Sequence, residues 1–360
     1  MAIPLVDVRA QYAPLLDAIK ERIAEVLDSG RFILGPNVAA FEREAAAYLG
    51  VPETIGVANG TDALVLVMDA LGIGPGDEVV CPAFTFFATA EAIARRGATP
   101  VFADIDPATL NLDPADVARR VSRRTRAMLA VHLFGRPCPV EGFPARIPVI
   151  EDAAQAFGAP RVGSLGIAAT FSFFPTKNLF GLGDGGLVAT ADPELAETVR
   201  MLRFHGSRDK VDFELVGYNS RLDELQAAVL RLFLGELDGW NGARREAAAG
   251  YAELGLGELC ELPEDEPGHV YHMYVVRSAW RGRIAASLAQ AGIASTPYYA
   301  RPLHLQPAFA HLGYAEGDFP ETERAAAENL ALPLWAGISR AQQAQVVEAM
   351  RAATSVGARS

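Results

Sequence analysis

The sequence predicts an α/β protein, a sheet covered by helices on both faces, followed by a smaller α+β unit. Three observations predict it. Between residues 54 and 190, apolar strand-like runs interleave with helix-patterned stretches. From residue 220 the pattern becomes one long helical stretch, followed by a strand-like run and another helix. At 360 residues, 50% hydrophobic and 21% charged, the chain is long enough for a large core with a smaller companion. The boundary is expected near residue 235, giving a large unit of residues 1–235 and a small unit of residues 236–360.

The elements follow in order. "PLLDAIKERIAEVLDSG" and "NVAAFEREAAAYLG" repeat apolar residues at helical spacing and close on Gly, a frequent helix terminator. "TIGVAN" reads as a strand, "GTDALVLVMDALG" as a helix, "DEVVCPAF" as a strand and "TFFATAEAIARRG" as a helix. "TPVFADI" gives a strand, "PADVARRV" a helix, and "RAMLAVHLF", "IPVIEDA", "ATFSFF" and "GLVAT" four more strands. "SRLDELQAAVLRLFLGELDGWNGARREAAAGYAEL" is the long helical stretch; "YHMYVVR" and "GRIAASLAQAG" supply a later strand and helix. In sheets of this class, ligands bind where loops leave the carboxyl ends of strands.

A formal net charge of −12 argues against nucleic acid and anionic membranes as partners, because both demand basic surface. No signal-like N-terminus or membrane-length apolar run is present, so a soluble, cytoplasmic protein is expected. Cys81, Cys138 and Cys260 are widely separated, which suggests buried thiols rather than disulfides or a metal site. His269 and His272 lie in a stretch that alternates like a strand, an arrangement that would put them on opposite faces and away from a shared metal.

Only three of the 32 Lys and Arg residues are lysines. Lys20 falls on the polar side of a helix and Lys210 in a charged loop. Lys177 instead lies between the apolar "ATFSFF" and the glycine-rich "GLGDGG", whose glycines permit close backbone approach. A desolvated lysine loses its proton more easily and attacks carbonyls, which Arg cannot do.

Four stretches can be set beside it. Asn59, Gly60 and Thr61 lead from a strand into a helix, a place for a phosphate on free backbone N–H groups, or simply a helix cap. Asp152 ends an apolar strand, where its partner is either a protonated ring nitrogen or an ordinary salt-bridge cation. Ser172 stands five residues before Lys177, near the same strand end. Phe84, Phe86 and Phe87 follow a strand and offer a ring for stacking, or core packing. A Schiff-base lysine, an acid for a pyridinium nitrogen, a phosphate cup and a stacking ring are together what pyridoxal 5′-phosphate requires.

With "NGTDAL", "GIGPGDEVVCPAFTF", "EDAAQAFGA", "FSFFPTKNL", "GDGG", "GYNSRLDELQAA" and "RPLHLQPAF" in order, the chain resembles the DegT/DnrJ/EryC1/StrS family of sugar aminotransferases from about residue 5 to residue 335. The resemblance implies the fold-type I architecture, with a mostly parallel seven-stranded sheet in the large domain. It implies that Lys177 forms the Schiff base, Asp152 keeps the pyridine nitrogen protonated, Gln155 lies by the ring hydroxyl and Phe86 stacks on the ring. Gly60, Thr61 and Ser172 would bind the phosphate. Asn219 of "GYN" would reach in from a second subunit, so a homodimer with shared active sites is expected. The implied reaction moves an amino group from L-glutamate, through pyridoxamine 5′-phosphate, to a keto sugar carried on a nucleotide.

Arg221, Tyr298, Tyr299, Arg301 and His304 are the candidates for contacts to that substrate. Two departures bear on it: the chain between "HLFGRP" and "PVIEDAA" is short for the family, and Tyr298 stands where many relatives carry His. Lys177 argues against the deoxygenating relatives, which have His at that position. "GLGDGG" opens a strand instead of a helix and so is no dinucleotide fingerprint. A cofactor-binding sensor and a cyclitol-ketone aminotransferase are the remaining alternatives.

Overall fold

The computed structural model describes residues 2–355. Seven of its strands form one sheet: β1 (Glu53–Val57), β2 (Glu78–Pro82), β3 (Thr99–Ala103), β4 (Thr125–Val131), β5 (Val149–Asp152), β6 (Ala168–Ser172) and β7 (Gly186–Thr190). They lie in the order β1-β7-β6-β5-β4-β2-β3. β2 through β6 pair in parallel, while β7 is antiparallel to both β1 and β6. The chain therefore leaves β1, β2, β4, β5 and β6 along one edge, and β7 begins there.

Apolar residues fill both faces because helices cover both. In β2, Val79 and Cys81 enter one core cluster and Val80 another, as the period of two requires. The first layer includes α1 (Val8–Tyr12), α2 (Leu16–Ser29) and α3 (Pro36–Leu49). α2 and α3 end on Gly30 and Gly50, whose φ of 64° and 68° is the left-handed turn that favours glycine. α4 (Gly60–Ala70), α5 (Phe87–Arg95) and α7 (Pro193–Leu202) pack on the opposite face, whereas α6 (Pro114–Arg120), beside β3, sets Val117 against Val80 and Met128 on the first. Caps match the sequence: Asn59 Oδ1 accepts from Asp62 N at 2.8 Å, and Asp113 and Asp192 start α6 and α7 before a proline.

The long helical stretch is two helices, α8 (Glu224–Leu234) and α9 (Leu237–Glu253), offset at Gly235 and Glu236. α8 puts Ala227, Leu230 and Phe233 on the large sheet; α9 starts in that same core with Leu237 and Trp240 and ends in a separate core with Ala247, Ala248 and Tyr251. That second core also holds α10 (Arg281–Gln290), α12 (Arg340–Ser355), and the antiparallel pair β8 (Tyr274–Arg277) and β9 (Asn329–Leu332). α11 (Pro320–Glu328) leads into β9, and its first turn is held by Asp104, which accepts from the Glu321 and Thr322 N–H groups.

The strand expected over "YHMYVVR" is only four residues long. Tyr271 takes a φ of 43°, and its N–H donates to His269 Nδ1 at 3.0 Å, so the backbone turns before the strand starts. The expected alternation of His269 and His272 therefore does not occur. Among the described residues no helix is long and apolar enough to cross a membrane.

Candidate active site

The shared strand edge opens onto a cavity of about 480 Å³. Gly60, Thr61, Phe86, Asp152, Gln155, Ser172, Lys177, Tyr298 and Tyr299 line it, nine of the residues the sequence singled out. Asp152 and Ser172 are the last residues of adjacent parallel strands, which fixes their spacing through the sheet ladder.

Lys177 follows β6 by a short turn, its N–H donating to Phe174 O at 2.8 Å. Burial pushes its amine down from the ordinary lysine value to about 8, against the pull of the Asp152 carboxylate. No ion pair to Lys177 Nζ forms among the described residues. Asp152 is shifted the other way. Burial raises its pKa, and hydrogen bonds from Thr89 and the Ala154 N–H, with the charges of Lys177 and His132, pull it back.

The turn from β1 into α4 packs tightly on β6: a Cβ on Gly60 would stand 2.8 Å from Ser172 Cβ. Only glycine keeps that cradle at the helix start. Glycines after Lys177 serve the same turn from the other side, because a Cβ on Gly186 would stand 2.4 Å from Asn59 O. The close approach of Gly186 is thus to the cup's backbone, and that of Gly181 and Gly183 to the Gln226 side chain, where the sequence suggested a ligand.

Phe86 is 57% exposed, its ring bare toward the cavity, while Phe84 is buried and Phe87 packs on Phe309. Gln155 is held at both ends of its amide. Its Oε1 accepts from Phe134 N at 2.7 Å and its Nε2 donates to the Tyr299 hydroxyl at 2.9 Å. Tyr299 packs among Phe84, Phe86 and Phe134, and burial pushes its pKa up, so it stays protonated.

Four candidates lie outside this cavity in the single chain. Asn219 pairs with Phe204 in an isolated bridge, and the Arg221 guanidinium lies 5.8 Å from the Phe204 ring. Arg301 is exposed to solvent. His304, read from the sequence as a substrate contact, is buried against Phe319 with Nε2 3.1 Å from Glu323 Oε1, where it anchors the start of α11. That packing, and not a ligand, accounts for its burial.

Sequence reasoning missed others. His272 lines the cavity, its Nδ1 buried without a hydrogen-bond partner. Burial, then the charges of Lys177 and Arg244, hold its pKa well below the ordinary histidine value, so it is neutral. Asp184 of the glycine turn lines the mouth. Behind β5, Glu151 is wholly buried and accepts from the N–H groups of Gly163, Leu165 and Gly166, with His132 Nε2 at 2.9 Å. Thr85 and Thr89 stand behind Asp152; their spacing of four in "PAFTFFATA" was the available signal, hidden by the phenylalanines between them.

An amine whose pKa burial has lowered and a buried carboxylate, facing one cavity that the start of α4 also lines, are the arrangement of an amino-transferring site. The family model for the DegT/DnrJ/EryC1/StrS aminotransferase family matches residues 15–351. The chain belongs to this family. It is 48% identical to the "Pleiotropic regulatory protein" of Geobacillus stearothermophilus, over 97% of each chain. It is 44% identical to the "UDP-N-acetyl-3-dehydro-alpha-D-glucosamine 3-aminotranferase" of Acidithiobacillus ferrooxidans, again over 97% of each. Among solved structures, DesV of S. venezuelae, crystallised "in complex with ketimine intermediate", superposes with a TM-score of 0.93 at 44% identity, covering 98% of each chain. The DegT/DnrJ/EryC1/StrS fold, with its mostly parallel seven-stranded sheet and second small sheet, is the one described above.

Proposed function

We propose that this aminotransferase binds pyridoxal 5′-phosphate in the cavity and moves an amino group from L-glutamate to carbon 3 of a keto sugar carried on a nucleotide, in two alternating half-reactions. The observation that carries the reading is Lys177, a buried amine with a pKa of about 8, sharing one cavity with the buried carboxylate of Asp152. The residues fit the cofactor. Gly60 and Thr61 at the start of α4 line the cavity beside Ser172, which suits a phosphate, and Asp152 Oδ1, held only by a 3.3 Å bond from Ala154 N, has room for another donor. The name of the Acidithiobacillus relative supports the nucleotide-linked 3-keto sugar and the position of amination.

When bound, the cofactor supplies a carbonyl for the amino group and a conjugated ring that accepts the electron pair freed at the donor carbon. Lys177 Nζ has a useful free-base fraction at neutral pH and would take the proton from that carbon and deliver it across the amino nitrogen, two bonds away. Asp152 holds the ring-nitrogen proton in place. Gly60 and Thr61, at the positive end of α4, and the Ser172 hydroxyl bind phosphate. Phe86 would cover one ring face, Gln155 would lie by the ring hydroxyl, and Tyr298 and Tyr299, on the cavity wall, would face the sugar.

A homodimer completes this reading. Val211, Phe213 and Val216 are 75%, 60% and 94% exposed on one loop, and Phe32 and Ile33 are also bare. Apolar side chains in such numbers suit a surface that a second copy covers. Asn219 follows that loop and would serve the partner's cavity.

The test is spectroscopic, then chemical. The purified protein with pyridoxal 5′-phosphate is expected to show a visible band that L-glutamate bleaches, and the bleached protein to aminate a UDP-linked 3-keto sugar, seen by product mass. A protein that stays colourless refutes the cofactor reading. A coloured protein indifferent to every amino donor favours the regulatory role that the Geobacillus relative's name suggests.

A further inference from the structure

The turn that presents Phe86 also carries Thr85 before α5 and Thr89 in its first turn, both 1% exposed. Thr89 Oγ1 donates to Asp152 Oδ2 at 2.8 Å, and Thr85 Oγ1 lies 3.2 Å from Thr89 Oγ1. A hydroxyl has one proton to give. An ionised carboxylate only accepts, so Thr89 spends its proton on Asp152, and Thr85 must then donate to the Thr89 oxygen. The chain of hydroxyls runs one way, toward the carboxylate. Were Asp152 protonated, its own O–H could point at Thr89 and the order could reverse.

We propose that Thr89, backed by Thr85, is a positioning residue for Asp152: the two hydroxyls fix the carboxylate's rotamer and keep it in the charged, accepting form that a protonated ring nitrogen needs. This rests on the cofactor reading above for its purpose, though not for its geometry. Hydrogen bonds to the charged form of an acid favour that form, and inside a protein each is stronger than in water. The other groups acting on Asp152 are the Ala154 N–H at 3.3 Å, Lys177 across the cavity, His132 beyond β4 and the Tyr299 phenol. Lys177 and His132 are cavity and core groups that ligands or tautomers can alter. The threonine chain is permanent, and the first turn of α5 adds its positive end on the same side.

The experiment titrates the Asp152 carboxyl by 13C NMR in the cofactor-free full-length protein, the signal being assigned by its loss in Asp152→Asn. Thr89→Val, which keeps shape and loses the hydroxyl, is expected to raise the midpoint. Thr85→Val is expected to raise it less, and Thr89→Ser to restore it. The same proteins titrated with pyridoxal 5′-phosphate should show Kd about tenfold weaker for Thr89→Val and within about twofold of wild type for Thr89→Ser. A midpoint unmoved in Thr89→Val, or moved as far in Thr89→Ser, overturns the proposal. If Thr89→Val fails to fold, Thr85→Val, which does not touch Asp152, decides by the same readout. Because the midpoint is read without cofactor, a wild-type protein that binds none overturns the functional reading and leaves this comparison standing.

Discussion

Replacing Asp152 by Asn and following the Lys177 amine in the cofactor-free chain tests the electrostatics of the cavity directly. Burial lowers Lys177 from 10.5 to about 8, and Asp152 is the group that opposes the shift. At pH 7 an amine of pKa 8 is roughly one part in eleven free base, whereas one of 10.5 is roughly one part in three thousand, a gap of about 300-fold. Trace acetylation with acetic anhydride, a reagent that does not itself titrate, reports free base lysine by lysine through peptide mass spectrometry. Exposed Lys20 provides an in-chain comparison. Wild-type labelling at Lys177 should climb about tenfold per pH unit and level off near pH 8. In Asp152→Asn the plateau should arrive at lower pH, because the stabilising negative charge is gone. Labelling that still climbs at pH 10, or a plateau moved upward in the variant, would refute the reasoning.

Other perturbations give equally definite outcomes. Gly60→Ala pushes a methyl into Ser172 and should cost about 1–3 kcal/mol of stability by overpacking, read in urea denaturation, and the displaced cup should weaken pyridoxal 5′-phosphate while leaving phosphate-free pyridoxal much less affected; isothermal titration separates the two. Glu151→Ala strips four donors of their buried acceptor and should lower stability by about 3 kcal/mol or more in urea denaturation. Burial alone would raise the Glu151 pKa, but His132 and the loop N–H groups hold it below the ordinary value. Its contribution is therefore full at neutral pH and fades as pH falls from about 4.3 through the folded value, and the acid limb of the melting curve should flatten in the variant. Phe213→Glu with Val216→Glu should shift the sedimentation coefficient from dimer to monomer; an unchanged dimer would place the subunit contact elsewhere.

The parts of the fold legible in the sequence are those in which one residue's surroundings follow from its neighbours. The centres of β2 through β4 and β6 are apolar because both faces are buried, and Asp152 and Ser172 stand out because a strand end must be where such a run stops. The direction of β7 was not legible, since "GLVAT" is equally apolar either way round. Thr89 is silent because its partner is 63 residues distant. His272 was misplaced because the turn at Tyr271 has no glycine to announce it, and His304 because a buried histidine next to Glu323 and a ligand-binding one share the same letters. The α8–α9 break fell inside a continuous helical pattern, with no proline at Gly235 and Glu236 to mark it.

Tyr298 and Tyr299 reach the cavity from a different mounting than Lys177 and Asp152. Tyr298 N donates to Asn329 Oδ1 at 2.7 Å, and Thr296 bridges Ala331, both on β9 of the small sheet, whereas Lys177, Asp152 and Ser172 hang from the large one. Tyr298 thus takes its backbone support from the small sheet, while the Tyr299 hydroxyl ties the same strip to Gln155 after β5. Substitution at Tyr298 can therefore reshape the cavity wall without loosening Lys177 or Asp152, whereas substitution at Tyr299 also releases the Gln155 amide.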